Sequence, residues 1–340
     1  MTMSRRQQLV RAAAQLQMAA ADVRTIAAQR EAASSAINAT DADAVWLGTS
    51  EPVSGQTTLR RAWTSHRRPP EPDLRFDPSV PQPARIYSYW LGGKDHYPAD
   101  RVAAEEVIAR RPQVVAGARA NRAFLARAIR FLVAECGIRQ FLDIGTGLPA
   151  PENTHELAQA IAPDCRIVYV DNDPLVLVHA RALLTSARQG SCDYLEADLR
   201  DAPTILAGAA ETLDLTRPAA VLLLAVLHFI TDTDGPAAIV AALARQLAPG
   251  SFVVISHLTG DFAPGPVLAG VEAYNTLVPT TLKPRTHSQV SALFAGLPMV
   301  PPGVVPLTEW RPVLAGQSPV SADMYAGIAH TAITRRRITT

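Results

Sequence analysis

Residues 139–153 read RQFLDIGTGLPAPEN and hold the densest set of groups able to bind a ligand. A short apolar run (Phe141, Leu142, Ile144) carries Asp143 and leads into Gly145-Thr146-Gly147. Glycines at this spacing let the backbone turn sharply and approach a ligand where a Cβ would collide. The helix that opens behind them supplies free N–H groups. Together these features describe a loop for a nucleotide cofactor. Two further carboxylates follow: Asp171 closes RIVYVD, with Asn172 next to it, and Asp198 sits in YLEADLRD, with Leu199 next to it.

Taken alone, GTGLPA fits the dinucleotide fingerprint, with Ala150 as its third small position. Three details argue against a diphosphate on this loop. Pro149 and Pro151 delete two N–H donors, and Glu152 adds a like charge. Asp143 places an anion at the proximal end, which suits a ligand carrying an ammonium and a sulfonium, as S-adenosyl-L-methionine does. Asp171 stands where a doubly wound sheet meets the cofactor ribose, and Asp198 can accept from an adenine amino group with the Leu199 backbone beside it. Either of these aspartates alone could equally be a helix cap or a solvated loop residue. The ordered set at successive strand ends carries the argument.

These groups need strands and helices in alternation, and the chain from 139 onward supplies them. Strands are expected at 139–144, 166–171, 193–197, 219–228 and 251–257. Helices are expected at 153–162, 174–187, near 203–211 and at 236–247. Continuous apolar strands separated by helices of this length imply a parallel sheet covered on both faces. Beyond 260 the rhythm breaks into a short helix at 266–277 and a helix at 287–295 behind Thr286 as N-cap. Two closing strands follow, at 303–313 and 323–333, read as an antiparallel hairpin on the sheet edge. Before 139, helices are expected at 99–110 and 113–136, the second ended by Gly137. Residues 1–80 have a different texture: a possible alanine-rich helix over 5–33, then a Ser/Thr/Pro/Arg-rich linker, together expected to be poorly ordered. Residues 81–340 form the domain, divided into an N-terminal cover (81–137), a cofactor-binding core (138–259) and a substrate-side segment (260–340).

The 340 residues are 48% hydrophobic and carry a net charge of +1, so no global field points to nucleic acid or a membrane surface. The longest apolar run, Val221 to Ile230, is too short to span a bilayer. The three cysteines are far apart, without a CxxC pair, and read as small buried hydrophobes. No HExxH or clustered histidines indicate a metal. The reading is a cytoplasmic protein with a small-molecule partner, no nucleic acid, no membrane and no metal.

Residues 139–260 resemble a class I S-adenosyl-L-methionine-dependent methyltransferase. More narrowly, residues 83–333 resemble an actinobacterial family of S-adenosyl methyltransferases. The match is carried by ARIYSYWLGGKDHY at 84–97, NRAFL at 121–125, QFLDIGTGLP at 140–149, VYVDNDP at 168–174, ADL at 197–199, LHFI at 227–230 and WRP at 310–312. The resemblance implies an α/β fold with a doubly wound, seven-stranded, mostly parallel sheet (Rossmann-like, one strand antiparallel) and a helical N-terminal cover. Ala225 and Leu227, at the end of the fourth expected strand, are placed with the cofactor set.

Methyl transfer from a sulfonium needs donor and acceptor held in line with water excluded. His228 is the candidate general base, since its unperturbed pKa lies near working pH. It could equally pack against the cofactor. Segment 84–97 is a candidate cover, with Tyr or Trp faces toward the sulfonium and Tyr89 on the substrate side. Lys94 is a candidate for the cofactor carboxylate or an acidic substrate and Arg122 for the same carboxylate; the alternatives are a solvated lysine and a surface helix residue. Tyr274, Asn275 and Arg285 are substrate-side candidates, and His257 with Asp261 a possible polar pair. Two rival readings remain: a catalytically silent cofactor-binding regulator and an NAD-dependent oxidoreductase.

Overall fold

The computed structural model describes residues 77–183, 186–312 and 322–331. The helix expected over 5–33 and nearly all of the linker lie outside these residues. The described chain opens with three helices, α1 (Pro83–Trp90), α2 (Pro98–Arg110) and α3 (Val114–Arg130), the last running into a π-helical turn at Phe131–Glu135. Then come β1 (Gln140–Ile144), α4 (Thr154–Ile161), β2 (Arg166–Asp171), α5 (Pro174–Leu183), β3 (Ser191–Glu196) and α6 (Ala202–Ala209). β4 (Ala220–Leu224) leads through 3₁₀ turns at Leu227–Phe229 and Asp232–Asp234 to α7 (Pro236–Arg245) and β5 (Phe252–Leu258). The chain continues with α8 (Pro264–Leu277), α9 (His287–Leu293), β6 (Val305–Pro306), a 3₁₀ turn at Leu307–Glu309 and β7 (Met324–His330).

The seven strands form one sheet in the order β3-β2-β1-β4-β5-β7-β6. β1 pairs parallel with β2 and β4, β2 with β3, and β4 with β5. β7 runs antiparallel to both β5 and β6, so it is the one reversed strand. The order turns around at β1 and β4, and a doubly wound sheet opens a crevice there at the strands' carboxyl ends.

Alternation along each strand feeds two cores. Phe141, Ile167 and Leu222 pack with Phe124, Ile129 and Leu132 on one face, together with Trp310. Leu142, Val168 and Val221 pack with Ile205, Val240 and Leu243 on the other. A third cluster joins α1, α2 and α8 through Ile86, Val107, Val267 and Tyr274. Within it the buried Arg85 guanidinium sits 3.0 Å from Asp100, whose carboxylate also accepts from the Gln82 and Tyr97 amides. That satisfies a charge which burial alone would make costly.

Several boundaries differ from the sequence expectation. α1 was not anticipated, although Pro83 at its first turn and Gly92, with φ 83°, just past its end are the usual punctuation. The α-helix expected over 113–136 ends at Arg130, and its last turn is π. The fourth strand, expected to reach His228, stops at Leu224 because Ala225 turns to φ 52°. An unbroken apolar run gives no sign of that turn. The strand expected over 303–313 shrinks to two residues: Pro306 has no N–H for the ladder and Leu307 begins a 3₁₀ turn. α9 starts behind Thr286 as expected, with Thr286 accepting from Gln289 in a capping box, but ends at Leu293. No helix among the described residues is long and apolar enough to cross a membrane.

Candidate active site

A cavity of about 540 Å³ opens at the carboxyl ends of β1, β2 and β4, beneath α1, α2 and α8. That volume lies within the range of small-molecule sites. Gly145 (φ 73°) and Gly147 (φ 68°) take backbone conformations costly for other residues. A Cβ on Gly145 would come within 2.4 Å of the Val226 side chain, so the glycine is what lets the two loops meet.

The carboxylates that follow hold this loop and face the cavity. Asp171 accepts from the Gly147 amide (2.9 Å) with one oxygen and from the Asp173 amide (3.0 Å) with the other. Asp143 accepts from the Thr154 hydroxyl at 2.6 Å. Burial pushes both carboxyls up to about 6, against the opposing pull of these hydrogen bonds. An ionised carboxylate accepts about four hydrogen bonds, so both retain capacity for a ligand. Arg122 donates to the carbonyls of Pro151 (3.0 Å) and Glu152 (2.6 Å), bracing the proline segment. Asp198 lies within 3.4 Å of the Asn172 amide and 3.0 Å of Arg200, which also reaches Asp234 at 3.4 Å.

The opposite wall is built through long-range contacts. The Ala225 amide donates to Ser256, whose hydroxyl donates to Asn121 at 2.6 Å. The Asn121 amide donates to the Tyr87 hydroxyl, which in turn donates to the Ala118 carbonyl. His228 lies in the first 3₁₀ turn and is 7% exposed, its ring 4.5 Å from Phe229 and 5.6 Å from His257. Its buried Nδ1 makes no hydrogen bond. Burial first, then the charges of His257, Arg285 and Arg111, hold His228 well below the usual histidine pKa. It is therefore held in the neutral form.

The loop bearing His228 is clamped by Arg285. This guanidinium donates to the carbonyls of Leu227 (2.9 Å) and Ile230 (2.8 Å), to Asp232 (2.8 Å) and to His257 Nε2 (2.9 Å). The Lys283 amide donates to the His228 carbonyl at 2.8 Å. His257 Nδ1 faces the Leu258 carbonyl at 2.7 Å. A carbonyl only accepts and an arginine only donates, so Nδ1 carries the proton and Nε2 accepts. Burial brings this neutral histidine down to about 4.

The cavity brings together Asp143, Gly145, Thr146 and Gly147, then Asp171, Asn172, Asp198 and Leu199, with Arg122, Ala225, His228 and Tyr274. Five other candidates lie elsewhere. Lys94 is exposed in the turn after α1. Tyr89 turns its hydroxyl to Glu105 and its ring to His96, whereas Tyr87 and Trp90, one helical turn apart, line the cavity. Leu227 packs into the second core, leaving Val226 on the cavity. Asn275 pins the Leu282 backbone through both its amide atoms (3.0 and 2.7 Å). Arg285 is the clamp just described. The expected His257–Asp261 pair is not formed either; Asp261 accepts from the His287 amide (2.8 Å) and the Tyr325 hydroxyl (3.0 Å). Sequence reasoning missed Arg111, Val226 and Arg200 on the cavity wall, and weighed Asn121 only as a helper of Arg122. Among the described residues no group of three or more His, Cys, Asp or Glu could hold a metal, and Cys136, Cys165 and Cys192 are free thiols.

The family described as S-adenosyl methyltransferase matches this chain over residues 70–332. A protein of the DUF574 family from Streptomyces avermitilis is 41% identical, with a TM-score of 0.72, over 75% of this chain and 99% of its own. A candidate methyltransferase from Thermobifida fusca is 36% identical, with a TM-score of 0.69, over 79% of this chain and 100% of its own. No curated protein matches the chain. With its glycine loop, its strand-end carboxylates and a match over most of its length, the chain belongs to the S-adenosyl methyltransferase family, whose cofactor is S-adenosyl-L-methionine.

Proposed function

We propose that the protein methylates an oxygen or nitrogen of a small molecule, with His228 as the proton acceptor. The observation that carries this reading is a buried, neutral imidazole with an unpartnered nitrogen, facing the same cavity as three strand-end carboxylates. The residues present fit the cofactor. Asp171 has free lone pairs for ribose hydroxyls, Asp198 and the Leu199 backbone suit an adenine, and Asp143 brings negative charge toward the cationic end. Arg122 holds the Pro151–Glu152 carbonyls and so keeps the glycine loop open. S-adenosyl-L-methionine, when bound, supplies a methyl group on a good leaving group.

The protein's own work is then orientation, dryness and one proton. Orientation of this kind is worth roughly 7–11 kcal/mol of a barrier. Trp90 and Tyr87 cover the cavity from α1 and exclude water. Arg285 fixes the turn that aims His228, and the low pKa keeps that imidazole unprotonated at working pH. Such a base suits an acidic acceptor proton better than an alcohol's. Titration calorimetry with S-adenosylhomocysteine and a mass-shift screen of metabolites test the reading. Binding together with a +14 Da product supports it, and no binding at millimolar ligand by folded protein overturns it.

A further inference from the structure

Away from the strand ends the cavity wall is apolar, built by Trp90, Val107, Val114, Leu258, Val271 and Met324. Against this wall stand two buried residues that each keep a hydrogen-bond donor without a partner among the described residues. Tyr274 of α8 is 2% exposed and its hydroxyl has no hydrogen bond. Arg111, at the end of α2, is 5% exposed. Its Nε donates to Asp323 at 3.1 Å and its Nη2 lies 3.5 Å from the Ala322 carbonyl. Its Nη1 makes no hydrogen bond to any described residue.

The surroundings are shaped for this guanidinium. A Cβ on Gly270 would meet the Arg111 Cβ at 3.0 Å, and one on Gly117 would lie 3.8 Å from Nη2. Gly270 and Tyr274 are one turn apart on α8, so both donors belong to one corner of the cavity. Buried donors of this kind are normally matched, by the protein or by what it binds. A guanidinium presents a planar fork that fits a carboxylate. Trp90, Phe229 and Tyr274 line the same space, and aromatic side chains suit a ring.

We propose that the acceptor is a small aromatic acid whose carboxylate is received by Arg111, with the Tyr274 hydroxyl as second donor. The proposal rests on the methyltransferase reading and deepens it. Asp323 balances the charge of Arg111, and the Nη1 edge remains for the ligand.

The test is titration calorimetry on protein saturated with S-adenosylhomocysteine. The probes are a panel of hydroxybenzoates and hydroxynaphthoates, each beside its neutral primary amide. At least one acid is expected to bind tenfold or more tightly than its amide. That preference is expected to fall below threefold in the double variant Arg111→Gln/Asp323→Asn, which leaves no charge buried alone, and to survive in part in Arg111→Lys. Acids and amides that bind alike across the panel, no acid binding at millimolar concentration, or a double variant that keeps the preference would each overturn the proposal. S-adenosylhomocysteine affinity, measured first, separates the two levels: normal cofactor binding without acid preference refutes only the assignment to Arg111, and absent cofactor binding refutes the reading beneath it.

Discussion

The two sides of the cavity are held together by contacts of very different reach. On the glycine-loop side Asp143 bonds Thr154, eleven positions on, and Gly147 bonds Asp171, 24 positions on. On the opposite side Arg285 reaches back 55 positions to Ile230, Asn121 bonds Ser256 across 135, and Arg111 bonds Asp323 across 212. The first side is set by strand ends that the sheet places anyway. The second exists only where distant segments meet, and a few buried side chains carry it.

The largest expected effect falls on the long-range side. Arg285→Ala strands the Leu227 and Ile230 carbonyls and His257 Nε2, and should lower unfolding stability in urea by about 3–5 kcal/mol. A loss below about 1 kcal/mol would erase the contrast. His228→Ala should cut turnover about a hundredfold or more while S-adenosylhomocysteine affinity stays within twofold. If affinity falls in step with turnover, His228 belongs to the cofactor side instead.

Asp171→Ala should weaken S-adenosylhomocysteine binding about tenfold or more, or about 1.4 kcal/mol, by calorimetry. In the unaltered protein that affinity should fall as pH drops below about 6, where Asp171 takes up a proton. The smallest effect sharpens the comparison through stability. Asp143 and Asp171 have folded pKa values raised from 3.8 to about 6, so between those values the folded state binds more protons and acid relieves a cost. His257 runs the other way: its folded value of about 4 lies below the ordinary 6.5, so its contribution is lost as pH falls through that window. Asp171→Asn removes part of the relief. Its stability should decline more steeply than the parent's from pH 6.5 to 4, and parallel declines would refute the assignment.

How much of this was legible follows from the same difference in reach. The parallel sheet and most helices could be read because apolar strands, Pro174 and the Thr286 cap are local signals. Asp143, Asp171 and Asp198 could be placed because each lies within two residues of a strand's carboxyl end, which local apolar runs mark. The sequence alone does not separate Tyr87 from Tyr89, because without α1 there is no helical phase to tell the two tyrosines apart. Arg285 was assigned to the substrate although it spends its donors on backbone carbonyls 55 and 58 positions away. Arg111, in the unremarkable stretch IARRPQ, gives no sign of the partner it meets just before β7. The strand expected to carry His228 was too long because hydrophobicity does not reveal the backbone turn at Ala225.

The pairing of Arg111 with Asp323 joins an early segment of the chain to a late one. Six of the seven strands precede residue 323 in the chain, and the glycine loop and its carboxylates emerge well before it. A chain still being synthesised can thus present its nucleotide-binding crevice before the opposite wall has its last pieces, Asp323 and Met324. Until those two arrive, the Arg111 guanidinium lacks its carboxylate partner and the wall lacks one of its apolar side chains.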